Sequence, residues 1–249
     1  MSDVGVGLMS IFNCARPLLF ENKDATYPYS IIGTAFIVRF RGRHFIVSAA
    51  HLLRNFEAHQ VRFQYHPSVG DFVPWRSWYC LDGTDRDDPD QYDLVVFAVD
   101  DAALDYSRFK GYEPYNLLEI DALTIYSQRS SYAFRGFPTS LRTTDYDLHR
   151  IETQSVVGDG KYLGPSLRMH LHVLKVNRVA DIGDFDGLSG SPVFQINHVD
   201  DRYSNEAFAG MAILGTAAAG TVEFLAHGRV VSALMKITDG DVAPSIKDR

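Results

Sequence analysis

The stretch GTAFIVRFRGRHFIVSAAHLL, residues 33–53, decides the fold. Two apolar blocks flank Arg41-Gly42-Arg43, which reads as a strand, a turn and a second strand. The second block runs into a bend of small residues. Ala49 and Ala50 let that bend pack closely, while the imidazole of His51 projects from its end. Working outward, short runs rich in Val, Ile, Phe and Tyr alternate with turn clusters, and long helical periodicity is scarce. Strands are predicted over residues 31–40, 44–48, 61–65, 94–99, 131–134, 169–176, 192–196, 209–214 and 222–226. Their close spacing indicates an all-β sandwich or barrels. Residues 100–117 read as a connection between two β halves, and 230–237 as a closing helix.

The bulk properties set limits on function. The chain has 249 residues and is 46% apolar, enough for one large domain or two small ones with a substantial core. The net charge of −7 gives no basic footprint for nucleic acid. Two cysteines, Cys14 and Cys80, are too few for a disulfide framework and suit a reducing compartment. Residues 4–12 lack the basic start and cleavage signal of a secretory leader, and no apolar run approaches 18 residues. The reading is a soluble, cytoplasmic protein with neither nucleic acid nor membrane as partner.

Three stretches carry chemistry. FDGLSGSPVF, residues 185–194, sets Ser189 among glycines ahead of an apolar strand. Gly187 and Gly190 free the backbone there of Cβ atoms, which suits a nucleophile loop and equally an ordinary Gly/Ser turn. His51 alone reads as a base or as a structural histidine. QYDLVVFAVD puts Asp93 at the mouth of a wholly apolar strand, where a carboxylate either faces solvent or holds a donor such as an imidazole N–H.

Together these stretches place His51, Asp93 and Ser189 in the order of the chymotrypsin-type triad. VSAAH, DLVVF and GLSGSP match the histidine, aspartate and serine motifs of the chymotrypsin/trypsin-like serine proteases, and AGMAILG, residues 209–215, resembles the strand that follows. Over roughly residues 30–237 the sequence resembles that family, in particular its compact bacterial and intracellular trypsin-like members. The resemblance implies two six-stranded antiparallel β-barrels in a single peptidase domain over 1–249, the N-terminal barrel over about 1–110 and the C-terminal barrel with its helix over 118–249. It implies an endopeptidase with Ser189 as nucleophile, His51 as base and Asp93 as its orienting acid. The N–H groups of Gly187 and Ser189 would form the oxyanion hole. A side-chain pocket would have its floor at Gly183, with Asp184 as the alternative, substrate contacts at Leu214, Gly215 and Thr216, and walls over 215–219 and 224–226. A floor without a carboxylate favours small or medium uncharged side chains, and Asp184 at the floor would favour Arg or Lys.

Leu188 stands where zymogen-activated relatives carry an aspartate, and about 30 residues precede the first secure barrel strand. Both argue against activation by N-terminal cleavage. Ser191 replaces the second glycine of many secreted members, as is common in the bacterial subgroup.

Other chemistries fit less well. A Gly-x-Ser-x-Gly elbow fails because residue 191 is Ser and a strand follows. His170 and His172 share one face of a strand, as metal ligands or as a solvent-facing pair, without an identified third ligand. DGTDRDDPDQYD, residues 82–93, lacks the glycine of a Ca²⁺ loop and reads as surface. Trp75, Trp78 and Tyr79 read as barrel core or rim, and nothing around His44 marks it as a base. No cofactor or metal is expected. The expected partner is a protein or peptide substrate, with a regulatory protein as a further possibility. Two function classes remain: a serine endopeptidase, and a protease-fold binding or regulatory module with little intrinsic activity.

Overall fold

The computed structural model describes residues 10–22, 24, 26, 28–67, 70–81, 93–119, 125–145, 150–168, 170–178, 182, 184–198 and 204–245. The hairpin that opened the sequence reading is β2 (Tyr29–Phe40) and β3 (Arg43–Ser48), paired from Phe40 with Arg43 to Ala35 with Ser48. Its two connecting residues both have positive φ, 48° at Arg41 and 76° at Gly42. A tight hairpin needs that twist.

Around this hairpin the N-terminal half forms a curled antiparallel sheet. It also contains β1 (Ala15–Glu21), β4 (Val61–Phe63), β5 (Trp75–Leu81) and β6 (Leu94–Val99), in the order β4-β1-β2-β3-β6-β5. The short β7 (Tyr115–Asn116) adds to β2 in parallel. The curl brings the chain leading into β5 back against β4. Val73 donates its N–H to Phe63 O at 2.7 Å, Gln64 and Phe72 form an isolated bridge, and the Trp75 indole donates to Val61 O at 3.3 Å. The edges of this half-barrel meet through a few bonds, without a full strand ladder.

The C-terminal half is a closed six-stranded barrel. Its strands are β8 (Ser131–Gly136), β11 (Val156–Pro165), β12 (Leu171–Arg178), β13 (Pro192–His198), β14 (Ser204–Thr216) and β15 (Thr221–Ala226), in the order β11-β12-β15-β14-β13-β8. β9 (Arg142–Asp145) and β10 (Arg150–Thr153) pair antiparallel as a separate two-stranded sheet. The chain then enters helix α1 (His227–Asp239), longer than the 230–237 read from sequence and ended by Gly240 at φ 84°. Among the described residues no helix is long and apolar enough to cross a membrane.

Three apolar clusters hold the fold. One fills the N-terminal half around Ile46, Phe63 and Phe97, and one fills the barrel around Tyr132, Phe134 and Phe224. The third joins the halves: Phe36, Phe40 and Phe45 from the sheet meet Phe194, Phe208 and Met211 from the barrel and Val230, Leu234 and Ile237 from α1. Burying each such side chain stabilises the fold by about 1.5–3 kcal/mol.

One expectation is overturned. The first strand starts at Ala15, not near residue 30. β1 lies between β2 and β4, and Ala15 and Leu18 are fully buried. Arg16 and Pro17 disguised it. Arg16 has no exposed surface, and its guanidinium donates to the carbonyls of Gln64 and Ala15, each at 2.9 Å, and to those of Asn13 and Tyr112. Carbonyl oxygens solvate the buried charge in place of water. Burial pulls its pKa down to about 10.

Candidate active site

His51 lies in a single 3-10 turn, Ala50–Leu53, directly after β3. Ser48 pairs with Val95, so continuing the antiparallel register puts Asp93, just before β6, opposite the start of that turn. The carboxylate grips the histidine at two points. Asp93 Oδ1 accepts the His51 backbone N–H at 2.7 Å, and Oδ2 lies 2.5 Å from Nδ1. The first bond fixes the turn. The second keeps a proton on Nδ1, which leaves the Nε2 lone pair as the acceptor. Asp93 therefore does not simply face solvent, as it could when read alone: its side chain is 23% exposed.

Ser189 arrives on the tight loop before β13. Leu188 N–H donates to Phe185 O at 3.1 Å, Ser191 N–H to Leu188 O at 3.0 Å, and Gly190 N–H to Ala212 O at 2.8 Å. Gly187 and Gly190 have φ of 89° and 87°, a region that disfavours any side chain. Gly190 is also pressed on the other half of the molecule, where an added Cβ would lie 1.8 Å from Thr34 O and 2.7 Å from Ser48 Oγ. Thr34 N–H donates to Ser189 O at 3.0 Å, and Thr34 Oγ donates to Gly187 O at 2.7 Å. The loop thus docks beside Ser48, three residues before His51.

The loop peptides are oriented by their carbonyls. Asp186 O accepts the Thr139 N–H at 3.0 Å, and Leu188 O accepts the Ser191 N–H. In a trans peptide the N–H points opposite to the C=O, so the N–H groups of Gly187 and Ser189 are aimed away from those partners. Neither has an acceptor among the described residues. Two such donors flanking a hydroxyl can hold a developing negative charge.

The Ser189 hydroxyl donates to Ile213 O at 2.7 Å, and among the described residues no hydrogen bond joins it to His51. Ile213 sits at an irregularity of β14, between Ala212, paired with Phe224, and Leu214, paired with Glu223. Leu214 is 40% exposed. An added Cβ on Gly215 would meet Phe185. Asp184 is exposed, and its Oδ1 takes the Asp186 N–H at 3.1 Å. Gly183 and residues 82–92 lie outside the described residues.

The remaining sequence candidates are accounted for by packing. His170, at φ 64°, lies before β12 with its ring against Arg229. His172 Nδ1 is hydrogen-bonded with the Tyr162 hydroxyl at 2.8 Å, and its ring packs on Tyr126, so the two histidines are not a solvent-facing pair. Burial, aided by nearby His227, lowers the His172 pKa. Trp75 and Trp78 pack against the N-terminal core, and Tyr79 is buried. His44 has surroundings that sequence did not show: it is buried, with Nδ1 2.5 Å from Asp101 Oδ1. The two residues are 57 positions apart, and no local signal links them.

No protein-family model and no curated protein matches the sequence. The structure is similar to that of the scabies mite inactivated protease paralogue S-D1, with a TM-score of 0.60 over 94% of this chain and 97% of that one. The fold is chymotrypsin-like. At 14% identity the likeness carries the fold and no residue's role. Within that fold the Asp93–His51 pair and the Ser189 loop lie where the two halves meet.

Proposed function

We propose that the protein is a serine endopeptidase. The observation that carries this reading is the two-point hold of Asp93 on His51 beside the docked Ser189 loop. The Ser189 hydroxyl turns from Ile213 O toward His51 Nε2 and attacks a peptide carbonyl. Its proton passes to Nε2, and the carbonyl oxygen becomes an oxyanion on the N–H groups of Gly187 and Ser189, each worth about 3 kcal/mol. The C–N bond then breaks, the imidazolium gives its proton to the leaving amine, and an acyl ester remains on Ser189. Water, deprotonated by His51, hydrolyses the ester and restores the hydroxyl.

Leu188 is buried, 2% exposed, and offers no carboxylate to a newly cut N-terminus. This supports a chain competent without N-terminal processing; the substrate of the proposed reaction is a protein or peptide, with control left to loops or a regulatory protein. Cys14 and Cys80 are not joined, which fits a reducing, cytoplasmic setting.

Two observations favour a second reading, a protease-fold binding or regulatory module. The Ser189 proton is engaged by Ile213 O, and the structural neighbour is by its title an inactivated protease. A fluorophosphonate probe with peptide mapping separates the two. Labelling of Ser189 that is lost in His51→Ala supports the peptidase. A folded sample with no labelling at Ser189 rejects it.

A further inference from the structure

A carbonyl attacked by Ser189 must lie against Ser189 Oγ, with its oxygen toward the Gly187 and Ser189 N–H groups. The side chain of the residue that carries it starts one bond away. That side chain therefore falls between the two segments bordering the hydroxyl, 184–187 and 213–216, which meet where Phe185 lies against Gly215. Gly215 would leave a slot there, having no side chain of its own.

The slot is filled from within the chain. A Cβ built on Gly215 would lie 2.6 Å from both Cβ and Cδ2 of Phe185 and 3.0 Å from its Cγ. The Phe185 side chain thus occupies the space that a Gly215 side chain would take, in direct contact with the backbone. It is half-buried and packs on the barrel cluster that contains Leu188, Ala212 and Phe224, so it cannot swing away without giving up apolar contacts. The two described carboxylates of the 184–187 segment, Asp184 and Asp186, are both exposed, and Asp184 accepts the Asp186 N–H.

We propose that Phe185 sets the specificity of this site by filling the slot beside Gly215, so that the residue preceding the scissile bond is Gly, Ala or Ser. The inference rests on Ser189 marking the point of attack, and it narrows the expected small or medium uncharged preference to small residues alone. A larger side chain has to displace the ring from its packing. Added methylenes in a filled pocket are rejected by factors of 10–200 each at most, so Phe against Ala at this position is expected to differ by about 100-fold or more.

The slot is tested apart from the chemistry by using the full-length Ser189→Ala chain as a binding protein. Peptides ending in the free carboxylate of Ala, Leu, Phe or Arg are titrated by calorimetry. The Ala-ending peptide is expected to bind about 100-fold more tightly than the Phe-ending one, and adding Phe185→Val is expected to shift the order toward Leu and Phe. Phosphonate esters with the same side chains are applied in parallel to the parent chain. Selective binding of the Ala-ending peptide without labelling of Ser189 would reject the peptidase reading and keep this one. Equal binding of Ala- and Phe-ending peptides, an order unchanged by Phe185→Val in folded protein, or no binding of any peptide would overturn it.

Discussion

Replacing Gly190 with Ala tests how the Ser189 loop is seated. Two costs separate cleanly. An alanine held at φ 87° loses about 1–2 kcal/mol to backbone strain. The second cost is specific to this loop, because the new Cβ would stand 1.8 Å from Thr34 O and the loop must lift to relieve it. Lifting breaks three hydrogen bonds: Gly190 N–H to Ala212 O, Thr34 N–H to Ser189 O and Thr34 Oγ to Gly187 O. At about 1 kcal/mol each, the total reaches about 4–5 kcal/mol. Gly42 is the internal control, with φ 76° and nothing within 4 Å of an added Cβ, so Gly42→Ala bears the strain alone. With a urea m-value of about 2 kcal/mol/M, the midpoint is expected to fall by about 2 M for Gly190→Ala and by about 0.5–1 M for Gly42→Ala. Gly190→Ala is also expected to lose Ser189 labelling below its own midpoint. Equal midpoint shifts for the two variants would refute the docking of this loop on Thr34.

Asp93→Asn is expected to slow Ser189 labelling by about 10³–10⁴-fold with an unchanged circular dichroism spectrum, and a rate within tenfold of the parent would remove Asp93 from the mechanism. Thr34→Val keeps the shape but deletes the hydroxyl that donates to Gly187 O and accepts the Phe137 N–H at 2.9 Å. The orphaned groups should cost about 1–3 kcal/mol in chemical denaturation, and an unchanged midpoint contradicts the bridge. Burial drives the Cys14 thiol pKa up to about 12, whereas Cys80 is exposed. At pH 8, well below that value, a thiol reagent should therefore modify one cysteine in the native chain and two in denaturant. Two rapid equivalents in native protein would show that Cys14 is not buried as described.

Much of this architecture was legible because its strands announce themselves chemically. Residues 94–99 are apolar without interruption and form β6 over the same span; the 33–53 hairpin carries its turn in plain view. β1 stayed hidden because a charged side chain reads as surface, and only the folded chain supplies the carbonyls that surround Arg16. β11, with its glycines at 158, 160 and 164, is not among the predicted strands. Yet an added Cβ at Gly158 would strike the Phe134 ring and one at Gly160 the Lys175 carbonyl, so two of these glycines answer to neighbours distant in sequence. At the candidate site, spacing named His51, Asp93 and Ser189, because motif residues are contiguous with strands that are easy to find. What surrounds them was beyond reach: the Ser189 proton on Ile213 O and the contact of Phe185 with Gly215 each depend on side-chain direction across a fold.

Thr34 belongs to the first third of the chain, yet it anchors the loop that carries Ser189 in the last third. A growing polypeptide leaves the ribosome with His51 and Asp93 already made long before that loop exists, and a fragment that ends before β13 has no Ser189 at all. The converse fragment, the barrel alone, keeps Ser189 but loses Thr34, Ser48 and the imidazole together. The seam between the halves therefore ties the constellation to the completion of the chain, since a fragment that lacks either half lacks one of its residues.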